Sequence, residues 1–185
     1  MRFSKIFAAG VAMAGAAMAA LTPDQIADGI KQITKKSQDL QEPAQSITIL
    51  NAPLLIIGQG PFPKLIAGFT DIVSTATVVI SQFEGTQPIT ADADATLVFD
   101  TFRGFVRVHQ ELLNILIGKA GILEKVPLVG QPIATVLRSV EGVVDTIAIT
   151  LINTVESKAK DLQSEANSLG QTLDLAINKY EGISV

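Results

Sequence analysis

The chain has 185 residues, 48% of them hydrophobic, with 14 basic and 18 acidic side chains, one His, no Cys and no Trp. Disulfides are excluded, and a single His without Cys is too little for a zinc site. The acidic balance argues against nucleic acid and anionic membranes as electrostatic partners, while the length suits one domain with a real core.

Residues 1–19 read as a secretory signal peptide: Arg2 and Lys5 form a basic start, Ile6 to Ala16 an apolar run, and Ala17-Met18-Ala19 a small-residue cleavage motif. The apolar run is shorter than the ~20 residues a bilayer requires. The folded domain is therefore expected over 20–185, in an extracellular setting. The closing NKYEGISV carries no hydrophobic tail of the kind a GPI signal needs, and no Asn-x-Ser/Thr sequon occurs.

Thr22-Pro23-Asp24-Gln25 predicts a helix start, with Thr22 as N-cap, Pro23 at N1 and Gln25 closing a capping box. Ile26, Ile30, Ile33 and Leu40 then fall on one face, with Ser37 in the same row, and Pro43 is expected to break or kink the helix. A second helical piece is expected to carry Ile47, Leu50, Leu54 and Ile57 on one face, with a bend at Pro53. Gly58 to Pro63 reads as a loop. Lys64 to Glu84 predicts a helix with Leu65, Phe69, Ile72, Ala76, Val79 and Phe83 as its stripe, stopped by Gly85.

The stretch Leu97–Leu123 is the one around which the chain is organised. Val98, Phe102, Phe105, Leu112 and Leu116 make one apolar row, and Phe99, Val106, Leu113 and Ile117 a second. Asp100, Arg103, Arg107, Glu111 and Asn114 share the opposite face, with Arg107 and Glu111 placed one turn apart to pair. Upstream, Asp92 and Asp94 suit a helix start better than a calcium cluster with Asp100, because acidic groups there interact favourably with the positive end of the helix dipole.

Pro127 and Pro132 are expected to bracket a turn. A very apolar helix follows from Ile133 to Val155, with Arg138, Glu141 and Asp145 on one narrow stripe that rules out a transmembrane reading. A break is expected near Asn153 to Ser157, where Asn153-Thr154-Val155-Glu156 offers a cap. The closing helix carries Leu162, Ala166, Leu169, Leu173, Ile177 and Tyr180. Strand signals and repeats are absent. The predicted fold is all-α: an antiparallel helical bundle of five or six helices.

Catalytic patterns are missing. No G-x-S-x-G or phosphate-binding glycine motif occurs, and one His would have to serve any serine-based triad. A hydrolase is therefore disfavoured, and neither metal nor cofactor is expected. His109 is the residue to weigh. It follows Phe105 and Val106 by one turn and points near the core face, either as a core-edge His satisfied by the protein or as a polar group meeting a ligand headgroup.

The order of these features resembles the fungal hydrophobic surface-binding protein A family, which includes the antigenic cell-wall galactomannoproteins. The resemblance is carried by the signal peptide, the Cys-free helical pattern, Leu112-Leu113-Asn114-Ile115-Leu116-Ile117-Gly118-Lys119, the Pro/Gly turn and apolar helix after it, and the closing Leu/Ala/Ile/Tyr heptads. It implies an all-helical protein of the cell wall or medium that adheres to hydrophobic surfaces and, in some members, holds a fatty acid between its helices. No catalytic residue carries over. A secreted hydrolase and a second copy of the chain stand as further candidate partners.

Three of the predicted helices are apolar over more than one stripe, whereas a bundle helix needs only one. Large fillers are scarce, with eight Phe and one Tyr in the whole chain. An apolar cavity for an acyl chain is therefore expected. Its walls would be Leu54, Phe69, Ile72 and Val79, then Phe102, Val106, Leu113 and Leu116, then Leu137 and Val144, with His109 and Arg103 as headgroup candidates. The alternative is a structural or antigenic wall protein whose oily helices form only a core or an oligomer interface.

Overall fold

Thr22 caps the first helix as predicted: its hydroxyl accepts from the Gln25 amide, and the Gln25 side chain accepts from the Thr22 amide at 2.9 Å. The computed structural model describes residues 21–83, 85–123 and 130–183. The helices are α1 (Pro23–Asp39), the short α2 (Gln41–Gln45), α3 (Pro61–Gln82), α4 (Asp92–Leu123), α5 (Gly130–Thr154) and α6 (Ala159–Glu181), with 3-10 turns at Ala52–Ile57 and Glu156–Lys158. No strand occurs among the described residues. The all-α bundle is thus built on five long helices.

Successive long helices alternate in direction. Gly29 of α1 faces Val79 of α3, and Lys36 pairs with Asp71, so α1 and α3 are antiparallel. At the α5–α6 seam, Gly130 meets Tyr180 and Arg138 pairs with Glu181. A Cβ at Gly130 would collide with the Tyr180 carbonyl, so the close start of this hairpin requires glycine. Around the bundle, each long helix packs on two others in the order α1, α3, α5, α6, α4 and back to α1. This is a closed ring of five. With axes ~10 Å apart, a regular five-membered ring sets each axis ~8.5 Å from the centre, against ~7 Å for four helices. The interior is correspondingly wider, and the inward side chains have more space to fill.

The stripes read from the sequence supply those side chains. Leu65, Phe69, Ile72, Ala76, Val79 and Phe83 of the α3 region are buried, as are Val98, Phe102, Phe105, Leu112 and Leu116 of α4. The second α4 row is divided: Val106 and Leu113 are fully buried, while Phe99 and Ile117 are half-buried against the core. Polar contacts tie α4 to both neighbours. Gln110 donates to the Ser168 carbonyl and to the hydroxyls of Ser168 and Thr172 on α6, and Gln41 donates to Val108 and Glu111 from the α1 side. Glu111 therefore pairs with Gln41; an Arg107–Glu111 ion pair is not formed. Asp92 and Asp94 occupy the first turn of α4, where Asp92 also lies 3.6 Å from Lys158.

Four local expectations are corrected. The break at the end of α1 falls at Leu40, and Pro43 sits inside the first turn of α2, where its missing N–H costs no helical hydrogen bond. Pro61-Phe62-Pro63 is the first turn of α3 rather than loop, for the same reason, with Gly60 at positive φ before it. Ile47 to Ile57 do not form an amphipathic helix. Asn51 and Thr48 exchange side-chain to backbone hydrogen bonds that turn the chain, leaving only a 3-10 turn; Ile47 is buried and Leu50 is 90% exposed. The predicted cap at Asn153 to Glu156 also fails: the break occurs where expected, at Val155, but no side chain caps it, because Thr154 bonds back to Thr150. The signal-peptide stretch and Pro127 lie outside the described residues, and Pro132 belongs to the first turn of α5.

Candidate functional site

Among the described residues, and apart from the Tyr180 phenol, which bonds the Leu116 carbonyl, two buried side chains are polar: Ser37 of α1 and His109 of α4, both with 0% exposure. The Ser37 hydroxyl lies 3.1 Å from the Ile33 carbonyl one turn back and 2.8 Å from His109 Nδ1. A serine has one hydrogen to give. When it goes to Ile33, Nδ1–H donates to Ser37 and Nε2 is a bare acceptor; when it goes to the ring, Nε2 carries the hydrogen. Either assignment leaves Nε2 with an unused hydrogen-bonding position, and Nε2 has no protein partner. Burial lowers the His109 pKa from 6.5 to about 4, so the imidazole is neutral near neutral pH.

Aromatic rings hold this imidazole. Phe105, one turn back on α4, lies 5.4 Å away between ring centroids, and Phe69 of α3 meets it edge-on at 6.4 Å. In the ring of helices α1 stands between α3 and α4, so a side chain of α3 reaches one of α4 through the interior. His109 therefore belongs to the inside of the ring. On the outside of the α1–α4 seam is an open groove of about 610 Å³, lined by Thr34, Leu97, Gly104 and the same Phe105. The site is an apolar interior carrying one uncommitted nitrogen.

Of the residues predicted to line a cavity, Phe69, Ile72, Val79, Phe102, Val106, Leu113, Leu116, Leu137 and Val144 are all buried in one continuous core. Leu54 is corrected: it is 38% exposed on the 3-10 turn, beside Gly60 and outside that core. The two headgroup candidates part company. His109 is interior, whereas Arg103 is turned outward, 41% exposed, with its Nε 3.6 Å from the Glu165 carboxylate. The polar face of α4 ends at the bundle surface, so a charged side chain on it finds a partner there and stays solvated.

Ser37 is the partner of His109, a pairing that pattern reading did not foresee. Its signal was a hydroxyl at an apolar row position of α1, between Ile33 and Leu40. On the α5–α6 seam, Glu141 is shifted upward by burial and by the nearby carboxylates of Asp174 and Asp145. This acidic cluster faces outward, away from the interior.

No protein-family model matches the chain, and no curated protein does. Its fold is shared by solved structures, among them two fungal proteins. Ligand binding domain 1 of the Penicillium marneffei MP1 protein, complexed with arachidonic acids, aligns with a TM-score of 0.71 at 14% identity, covering 83% of this chain and 94% of that one. The Aspergillus protein AFMP4P, in complex with palmitic acid, aligns with a TM-score of 0.69 at 17% identity, covering 87% of this chain and 98% of that one.

Proposed function

We propose that the chain is a secreted, non-catalytic lipid-binding protein of the hydrophobic surface-binding protein A type, holding an acyl chain inside the ring of helices with its polar end against His109. One observation carries this reading: a fully buried imidazole whose Nε2 has no protein partner, set in an otherwise apolar interior. A buried polar atom without a hydrogen bond costs ~1–3 kcal/mol. A ligand headgroup that bonds it recovers that cost, while each CH₂ of the tail gains ~0.8 kcal/mol on leaving water. The shared fold with two fatty-acid complexes supports lipid binding at the level of architecture. Delipidated protein should bind a fluorescent fatty acid at one saturable site, displaced by unlabelled fatty acid. Ala134→Trp, which enlarges a fully buried α5 side chain, should weaken that binding more than it lowers stability. Absence of saturable binding would sink the reading.

Adhesion to hydrophobic surfaces is a second, separate activity favoured by its own observation. Leu50 and Ile57 are 90% and 65% exposed on one short segment, with Ile49 beside them. Apolar side chains so clustered suit contact with an apolar surface.

A further inference from the structure

We propose that the interior accepts its lipid with an uncharged headgroup, such as an alcohol or a carboxylic acid that has taken up a proton, and excludes the ionised carboxylate. The inference rests on the lipid-binding reading above and narrows its substrate class.

An ionised carboxylate moved into an apolar interior needs a buried positive partner; without one its desolvation is so unfavourable that it protonates instead. No Lys or Arg among the described residues is buried. On α1, Lys31 and Lys35 pair with Asp28 and Asp39 of the same helix, and Lys36 reaches Asp71 on the outside of α3. The Lys64 side chain of α3 is exposed. On α4, Arg103 lies against Glu165, Arg107 is exposed, and Lys119 donates to the carbonyls of Gln45, at the end of α2, and of Ile47 just after it. Arg138 of α5 pairs with Glu181 of α6. Glu111, beside His109 on α4, is exposed and bonded to Gln41. From α6 the one buried titratable group is the Tyr180 phenol, already donating to Leu116. Among the described residues, what faces a headgroup at His109 is therefore Ser37, two phenylalanines and hydrocarbon.

A neutral headgroup fits what remains. An alcohol or a protonated acid donates O–H to a bare Nε2, and an alcohol, acid or ester oxygen accepts from Nε2–H. The same burial that lowers the His109 pKa to about 4 keeps the proton on the acid rather than on the ring. An acid that enters as its anion from neutral solution therefore takes up one proton, supplied by water.

The test compares decanoic acid with decan-1-ol on delipidated wild-type protein, by calorimetry in buffers of different ionisation enthalpy. A carboxyl ionises near the ~4.3 of a glutamate side chain, so between about pH 5.5 and 7.5 decanoic acid should weaken ~10-fold per pH unit, ~100-fold in all. One proton should be taken up per acid bound. Decan-1-ol should bind with constant affinity and no proton uptake. Decanoic acid that binds with constant affinity and no proton uptake overturns the inference and leaves lipid binding standing. Failure of both ligands to bind at any pH overturns the lipid-binding reading and this inference with it.

Discussion

The phenol of Tyr180 donates to the main-chain carbonyl of Leu116 at 2.9 Å, tying the last turns of α6 to α4. Tyr180 is the one tyrosine of the chain, and there is no tryptophan. Its ionisation is therefore readable without interference. Burial pushes its pKa well above the ordinary ~10. A phenol raised in the folded state contributes stability below pH ~10, and that stability is lost as the pH climbs past it. On alkaline titration the tyrosinate absorbance should rise only as helical circular dichroism is lost, whereas in urea it should rise near pH ~10. Tyrosinate appearing near pH 10 with the helices intact would show that the phenol is not buried. Tyr180→Phe should cost ~1 kcal/mol of stability.

His109 gives the opposite end of the pH profile. Its folded pKa of about 4 lies below the 6.5 of an unfolded chain, so the unfolded state takes up the proton first. Its contribution is whole above pH ~6.5 and drains as the pH falls toward about 4, amounting to ~3 kcal/mol at ~1.36 kcal/mol per unit. Urea midpoints should show wild type losing about that much more than His109→Gln between neutral pH and pH 4. Equal losses in the two proteins would mean that the imidazole is solvated.

Leu113 lies at the centre of the apolar face of α4 with no exposure. Leu113→Asp would bury an unpaired carboxylate, which the fold cannot compensate. The variant should lose its cooperative melt or bind a hydrophobic dye as a molten state. Melting like wild type would overturn the assignment of that face.

Leu50 tests adhesion apart from the interior. Leu50→Glu, at an almost fully exposed position, should leave stability within about 0.5 kcal/mol of wild type. It should lower coating of hydrophobic beads while leaving fluorescent fatty-acid binding unchanged. Undiminished coating would remove this segment from the adhesive surface.

The helical fold was legible because periodicity survives without knowledge of partners: Leu65 to Phe83 and Val98 to Leu116 announce their buried faces at steps of three and four. Predictions failed where short-range chemistry outweighs periodicity. Leu50 and Leu54 share a helical spacing with Ile47 and Ile57, but Asn51 satisfies the Thr48 amide from its side chain and turns the chain. Proline opens a helix where the sequence suggests a break, at Pro43, or a loop, at Pro61 and Pro63. At the site, His109 could be placed near the core from its register. Its partner could not: contact between Ser37 and His109 spans 72 residues and depends on which helices are neighbours in the ring. Arg103, a headgroup candidate as a polar group on the same helix, is paired on the outside with Glu165 of α6, a partner 62 residues away that the helix pattern does not reveal.

A lipid headgroup that meets His109 inside the bundle must be felt at the ring nitrogen it bonds. Because the chain has one histidine, the ring-nitrogen NMR signals of the protein belong to that residue alone. Decan-1-ol titrated into delipidated, nitrogen-15-labelled protein should shift the Nε2 resonance saturably, with an endpoint of one ligand per chain and a smaller change at Nδ1, which Ser37 already holds. An Nε2 resonance that stays fixed while the alcohol binds would show that the headgroup lies elsewhere.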